Sequence, residues 1–278
     1  MDPGGARGRN QDRLSMADPV EPGSVFTREE PLETYLASRD WTSSSMLRRT
    51  LRGETKVHVP FVSTSPEMVM GEAMHAFLLE PAYFARNYAV PRLGEPADAL
   101  DDPQALMERI WLRPEQYESL LWARDAIERY SREPIAKWLS EGIKELSIYW
   151  TDEAGRRWRA RPDCFTPEII LEVKTVQDVR KRRFARLRRR RMYDLQAAHY
   201  IDAVQRLTGK RPRFAYITIE AFKPRALWVH ELGFAEIDAA LAALQDARAA
   251  FPASAQSPAI LASNSADKPD SPEQGAPG

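Results

Sequence analysis

Three charged side chains surround a short apolar segment, in an order suited to metal-dependent hydrolysis of a phosphate ester. Asp163 precedes the segment, while Glu172 and Lys174 lie at its end. The segment, residues 169–175, is rich in β-branched residues and follows a Thr-Pro turn signal, which predicts a buried strand. Because side chains alternate along a strand, Glu172 and Lys174 share one face. Burying such groups is costly unless they are paired or bound to a metal, so the spacing indicates a reactive site.

The two carboxylates are predicted to lie within reach of a single hard cation. Asp163 and Glu172 fall on consecutive predicted strands joined by a short connection. Mg²⁺ prefers a few carboxylates together with waters and substrate phosphates, which two acids at a strand end can provide. Lys174 would add a positive charge that orients water or stabilises developing negative charge. This fragment also recurs by chance, so it needs support from the rest of the chain.

The elements that must position these residues follow from periodicity and capping signals. The predicted helices span residues 42–51, 66–79 (ended by Pro81), 114–130, 134–139, 194–208 and 234–251. The predicted strands span residues 146–151, 157–165, 169–175, 214–220 and 226–232, with a hairpin turn at 153–155. This order is consistent with an α/β layer fold. Residues 1–25 and 252–278 lack periodicity and are predicted to be disordered, which leaves one domain at 26–251.

Composition excludes several classes of protein. No segment approaches the length of a membrane span, and an apolar signal core is absent from the N-terminus. A single cysteine, Cys164, rules out a disulfide framework and an iron–sulfur cluster held by four cysteines. The four histidines lack paired ligand spacing, which disfavours a structural zinc site. We therefore expect a cytoplasmic protein without membrane association.

Charge is balanced over the chain but is concentrated in one segment. The sequence has 40 basic and 40 acidic residues, giving a net charge of zero. Residues 180–191 contain nine basic residues in twelve and no acidic one. Such a segment suits local capture of a polyanion, and the alternative is a solvated basic loop. Its position directly after the strand that bears Glu172 and Lys174 favours phosphate binding.

Several spaced motifs together resemble the PD-(D/E)XK nuclease superfamily and, within it, the exodeoxyribonuclease VIII-like family of phage and prophage recombination enzymes. The resemblance covers residues 42–250. Its motifs are Ser43-Ser-Ser45-Met-Leu, Gly71-Glu-Ala-Met-His75-Ala-Phe-Leu-Leu-Glu80-Pro, Glu145-Leu-Ser-Ile-Tyr-Trp150, Arg161-Pro-Asp163, Glu172-Val-Lys174-Thr175, Gln196-Ala-Ala-His-Tyr200 and the strand ending at Glu220. The resemblance implies a restriction-endonuclease-like core, a mixed sheet flanked by helices, with an N-terminal helical region.

The resemblance also implies a role for each matching residue. The implied metal ligands are His75, Asp163, Glu172 and the backbone carbonyl of Val173, with Lys174 as the catalytic lysine. Gln196 and Tyr200, four apart on one helix face, would contact and orient a DNA end. The basic residues Arg188, Arg189, Arg190 and Arg191 are expected to bind DNA phosphates.

Some of these residues have ordinary structural alternatives. His75 has apolar neighbours at helical spacing and, without the flanking motif, would be a core histidine. Gln196 and Tyr200 could form a polar–aromatic pair on a helix. Glu145 is either an acid that supports the metal ligands or a charge at a strand edge. Glu80 is expected to serve the helix end before Pro81.

By resemblance, the implied activity is hydrolysis of linear duplex DNA from its ends. Mg²⁺ would be the cofactor, with Mn²⁺ able to substitute. The enzyme would degrade the 5′ strand and leave 3′ single strands for an annealing protein, and it would assemble as a ring-shaped trimer or tetramer. The alternatives are a DNA-binding module without catalysis and a nuclease of the same fold with endonucleolytic or single-strand preference.

Overall fold

The structure is a computed structural model that describes residues 21–54, 65–90, 109–222 and 225–251. Its helices are α1 (Leu32–Ala37), α2 (Ser44–Leu51), α3 (Pro66–Leu79), α4 (Pro81–Asn87), α5 (Pro114–Glu128), α6 (Ile135–Glu141), α7 (Lys181–Arg191), α8 (Tyr193–Thr208) and α9 (Phe234–Ala249). Its strands are β1 (Val25–Arg28), β2 (Tyr88–Ala89), β3 (Ile110–Trp111), β4 (Ile143–Lys144), β5 (Ser147–Thr151), β6 (Arg157–Ala160), β7 (Cys164–Phe165), β8 (Ile169–Val176), β9 (Arg213–Glu220) and β10 (Leu227–Glu231). Most of the predicted disordered ends, residues 1–20 and 252–278, lie outside the described residues.

A five-stranded mixed sheet forms the centre of the fold. Its strand order is β10-β9-β8-β7-β4, and β8 pairs with β9 in parallel while the other pairs are antiparallel. Helices α7 and α8 make the crossover that a parallel pair requires. A second, antiparallel sheet has the order β1-β5-β6, and β2 pairs with β3 in a short parallel ladder.

Apolar residues on the two faces of the central sheet pack against different helices. Leu171 and Val173 of β8 lie in a core with α3, α5 and α6. Ile170 lies on the other face, in a core with α2, α7, α8 and α9. The period-2 alternation of β8 therefore places Glu172 on the α8 side of the sheet, between two layers of helices. This mixed sheet flanked by helices confirms the predicted fold class.

The prediction of a single strand over residues 157–165 is wrong. The chain forms β6 in the small sheet, leaves it at Arg161, and re-enters as β7 in the central sheet. Pro162 lies at the break, and proline cannot donate a ladder hydrogen bond. The break places Arg161 and Asp163 where the two sheets meet.

The predicted end of α3 at Leu79 is confirmed, and Pro81 then begins α4, where its missing N–H costs little. The alternative of a solvated loop for the basic segment is wrong, because residues 181–191 form α7, which ends at Met192 with φ 54°. One further expectation is corrected. Val25 belongs to β1, which pairs with β5, so ordered structure begins earlier than expected. In the described part of the chain, helices are all too short or too polar to cross a membrane.

Candidate functional site

The β7–β8 hairpin carries Asp163, Glu172 and Lys174. Cys164 pairs with Leu171 across the hairpin, so Asp163, one residue before β7, lies beside the far half of β8. Asp163 Oδ2 accepts a hydrogen bond of 2.6 Å from the backbone N–H of Val173. On β8, Lys174 Nζ donates to Glu172 Oε1 over 2.5 Å. The hairpin therefore brings the three charged side chains together.

Helix α8 supports Glu172 from the opposite side. The side-chain amide of Gln196 donates to Glu172 Oε1 and to the Tyr200 hydroxyl, each over 3.0 Å. Both residues are buried, so Gln196 contacts the Glu172 carboxylate and Tyr200 contacts Gln196, and neither faces the open surface. Two buried oxygens, Glu172 Oε2 and Gln196 Oε1, have no hydrogen-bond partner among the described residues. A buried carboxylate oxygen without a donor is costly, and a bound cation would remove that cost.

His75 reaches the same place from α3, on the other side of the sheet. Its Nε2 lies 2.9 Å from the carbonyl oxygen of Val173, and its Nδ1 lies 3.5 Å from Asp163 Oδ2. Gly71, one turn earlier on α3, permits this close approach, because a Cβ there would lie 3.0 Å from Thr175 Oγ1 on β8. The Gly71–His75 spacing in the sequence therefore reflects how closely α3 packs on β8.

Glu145 also belongs to this cluster. It lies between β4 and β5 with φ 50°, a left-handed conformation that is unfavourable for a non-glycine residue. Arg161 Nε donates to Glu145 Oε2 over 2.8 Å. Ligand atoms of His75, Glu145 and Asp163 all lie within 4.8 Å of one another, which suits a shared metal ion.

Arg161 ties this corner of the site to its surroundings. Its guanidinium also donates to the Ser147 hydroxyl and the Glu30 carbonyl, and it lies 3.6 Å from Glu80 Oε1. Glu80 lies at the junction between α3 and α4, and its side chain also pairs with Arg161.

The electrostatics of the cluster favour an added positive charge. Burial and the neighbouring Glu172 raise the pKa of Asp163 well above its usual value. Burial, together with Asp163, raises the pKa of Glu145 to about 8. Burial and the charge of Lys174 lower the pKa of His75, which keeps its ring neutral and able to act as a ligand. The raised pKa values of Asp163 and Glu145 show that these buried acids are crowded together. A bound divalent cation would stabilise their charged forms.

Lys174 keeps its positive charge in this setting. Burial alone would lower the pKa of Lys174, but the carboxylates of Glu172 and Asp163 outweigh burial and raise it. Its ammonium lies 5.3 Å from the centre of the Tyr193 ring, a cation–π contact that the sequence did not predict. No spacing in the sequence marks Tyr193, because only the fold brings its ring near Lys174.

The four arginines expected to bind DNA do not share one environment. Arg188 forms ion pairs with Asp194 of α8 and Glu236 of α9, and its side chain is mostly buried. Arg189, Arg190 and Arg191 are exposed at the C-terminal end of α7. Arg48 of α2 donates to the Arg191 carbonyl over 3.0 Å and lies 5.9 Å from the Tyr193 ring, which connects this end of α7 to the site.

The donor set fits a hard divalent cation. It offers carboxylate oxygens, one imidazole nitrogen and the carbonyl oxygen of Val173, and the buried Glu172 Oε2 lacks any other partner among the described residues. Oxygen-rich sites of this kind suit Mg²⁺ or Mn²⁺.

Comparison with known proteins agrees with this architecture. A protein from Eubacterium rectale, named as a "Putative exonuclease", superposes with a TM-score of 0.52 at 14% identity, over 78% of this chain and 83% of that chain. At this identity the likeness shows a shared fold. The curated proteins contain no match. A family model described as "PDDEXK-like domain of unknown function (DUF3799)" matches residues 45–253, and the chain belongs to that family.

Proposed function

We propose that this protein is a metal-dependent deoxyribonuclease that hydrolyses linear duplex DNA from its ends. The observation that carries the proposal is the convergence of Asp163, Glu172 and Lys174 at the β7–β8 hairpin, with His75 against the Val173 carbonyl. Two acids, a lysine and a histidine held together in a partly buried site suit phosphodiester hydrolysis better than simple binding, because binding alone does not require crowded carboxylates.

Mg²⁺ is the proposed cofactor, with Mn²⁺ able to substitute. Asp163, Glu172, His75 and the Val173 carbonyl would hold it. When bound, the ion would polarise the phosphate and lower the pKa of a coordinated water.

The remaining residues have distinct proposed tasks. Lys174, held as a cation by Glu172, places positive charge where negative charge develops on the phosphate. Gln196 fixes Glu172 through one oxygen, which leaves Glu172 Oε2 for the ion. Tyr200 fixes Gln196 in turn. Gln196 Oε1 is buried and has no partner among the described residues, so it would accept a hydrogen bond from a water held inside the site.

The DNA path in the proposal runs along the C-terminal end of α7. Arg189, Arg190 and Arg191 are exposed there, and Arg48 joins α7 to the catalytic site. The proposal includes 5′ to 3′ degradation that leaves 3′ single strands for an annealing protein, a ring-shaped homo-oligomer and a cytoplasmic setting. These finer parts rest on the resemblance of the motifs to the exodeoxyribonuclease VIII-like family.

The test compares nuclease activity with DNA binding in matched variants. Asp163→Asn and Lys174→Ala should each lower cleavage of linear duplex in Mg²⁺ by orders of magnitude, while the fold is retained and DNA affinity stays close to that of the wild type. Glu168→Gln is the control, because Glu168 is an exposed acid in the turn of the same hairpin. Full activity of Asp163→Asn would contradict the proposed site. A wild-type protein that binds DNA but cuts nothing in Mg²⁺ or Mn²⁺ would be a binding module.

A further inference from the structure

We propose that Glu145 is a direct ligand of a divalent cation that it shares with His75 and Asp163. The inference rests on the proposed metal-dependent function and adds a ligand from outside the β7–β8 hairpin. Its basis is the cluster in which one ligand atom from each of these residues lies within 4.8 Å of the others. Octahedral coordination at about 2.0–2.1 Å places adjacent ligands about 2.9 Å and opposite ligands about 4.2 Å apart, so the three side chains would draw together around a bound Mg²⁺.

The orientation of His75 favours a bound cation between it and Asp163. His75 Nε2 is 2.9 Å from the Val173 carbonyl, an acceptor, so the hydrogen bond there needs the ring proton on Nε2. Nδ1 then presents a lone pair, and it lies 3.5 Å from a carboxylate oxygen of Asp163. Two acceptors facing each other at this distance repel, and a cation bound by both would make the arrangement favourable.

Glu145 reaches this position through its backbone conformation. Its φ of 50° turns the chain between β4 and β5, at the corner where Arg161 leaves β6. Strain of this kind is retained where the surrounding structure holds the residue for a purpose. Arg161 binds only Oε2 of Glu145 among the described contacts, which leaves Oε1 for the ion.

Glu172 has a different place in the site. One of its oxygens is bound by both Lys174 and Gln196, and its carboxylate does not belong to the close group formed by His75, Glu145 and Asp163. Asp163 therefore lies between Glu145 and Glu172, and Glu172 would complete the coordination through Oε2, which has no partner among the described residues.

Glu80 provides a matched control for Glu145. Both glutamates lie near Arg161, with Glu80 Oε1 3.6 Å from its guanidinium. Glu80 is not part of the described metal cluster. A glutamine at either position keeps the size of the side chain and an acceptor for Arg161, so the two variants differ mainly in access to the ion.

The experiment measures Mn²⁺ binding to the full-length protein by calorimetry, without DNA. Glu145→Gln should weaken Mn²⁺ binding by more than the roughly 10–100-fold that loss of an outer-shell partner typically costs. Glu80→Gln should bind as the wild type does. Anomalous diffraction from Mn²⁺-soaked crystals should show an ion bonded to the carboxylate of Glu145.

The outcomes separate this inference from the proposed function. Wild-type affinity in Glu145→Gln, or an ion that contacts His75 and Asp163 but not Glu145, would overturn the inference and leave the nuclease proposal intact. Absence of Mn²⁺ binding and of cleavage by the wild type would instead defeat the proposed function. Equal weakening in Glu80→Gln would show that the effect comes through Arg161, which also overturns direct ligation.

Discussion

Glu172 links the β7–β8 hairpin to helix α8. It is fully buried on β8, and its Oε1 accepts hydrogen bonds from both Lys174 and Gln196. Its other oxygen has no described partner. A carboxylate fixed on one side and open on the other is well prepared to bind a cation, because its orientation is set before the ion arrives.

The first prediction concerns Gln196, whose burial separates two possible roles. If Gln196 mainly orients Glu172, Gln196→Ala should lower kcat about 10–100-fold, while KM for duplex DNA stays nearly constant. Steady-state kinetics on end-labelled linear DNA measures both constants. Gln205→Ala, an exposed glutamine on the same helix, is the control and should behave as the wild type. A raised KM with unchanged kcat would mean that Gln196 contacts DNA and does not act through Glu172.

Helix α7 shows how an element can divide its residues between structure and binding. Arg188 is held by Asp194 and Glu236, so it fixes α7 to α8 and α9. The next three arginines extend beyond these contacts into solvent at the helix end. Repulsion among these neighbouring guanidinium groups would be relieved by a bound polyanion.

The second prediction compares the two kinds of arginine on α7. Replacing Arg189, Arg190 and Arg191 together with Gln should weaken DNA binding for all sequences and flatten its salt dependence. The log–log slope should fall by about 0.9 for each duplex phosphate that the protein no longer neutralises. Arg188→Gln should lower the melting temperature and leave the slope unchanged, because its partners are protein carboxylates. Binding isotherms at several salt concentrations and thermal melts measure these effects. An unchanged slope in the triple variant would leave the helix end as a solvated surface.

The sequence predicts most elements here because their signals are local. Ser43 and Ser65 cap α2 and α3 as expected, and the alternation of β8 placed Glu172 and Lys174 on one face. The break between β6 and β7 was missed, because alternation continues across Pro162 although the chain changes sheets. Here tertiary pairing, not local preference, decides the structure.

The same limit applies to the site. The hairpin acids and Lys174 are close in sequence, so the geometry of one hairpin could be predicted to bring them together. Glu145 and Arg161 form their contact only because two sheets meet at that corner, and sequence separation gives no signal for it. The partner of Gln196 was likewise unexpected, since helix spacing shows which residues share a face but not what that face contacts.

At the scale of the whole molecule, positive charge is concentrated in one segment and is not spread over the surface. The chain has equal numbers of basic and acidic residues, yet nine basic residues lie within residues 180–191. The residues outside this segment together carry a net charge of minus nine, so most of the protein should repel the phosphate backbone. Binding would then be directed to the end of α7 and the adjacent catalytic cluster.

The last prediction separates an enzyme that acts on DNA ends from its alternatives. With Mg²⁺, linear duplex should be degraded to single strands and nucleotides, while covalently closed circular DNA of the same sequence should remain intact. Gel electrophoresis of both substrates in one reaction measures this, with the Asp163→Asn protein as a control for contaminating nuclease. Ca²⁺ takes more ligands in looser geometry, so it should permit DNA binding with little cleavage. Rapid cutting of the closed circle would contradict end-dependent action and indicate an endonuclease, although the metal site would still stand.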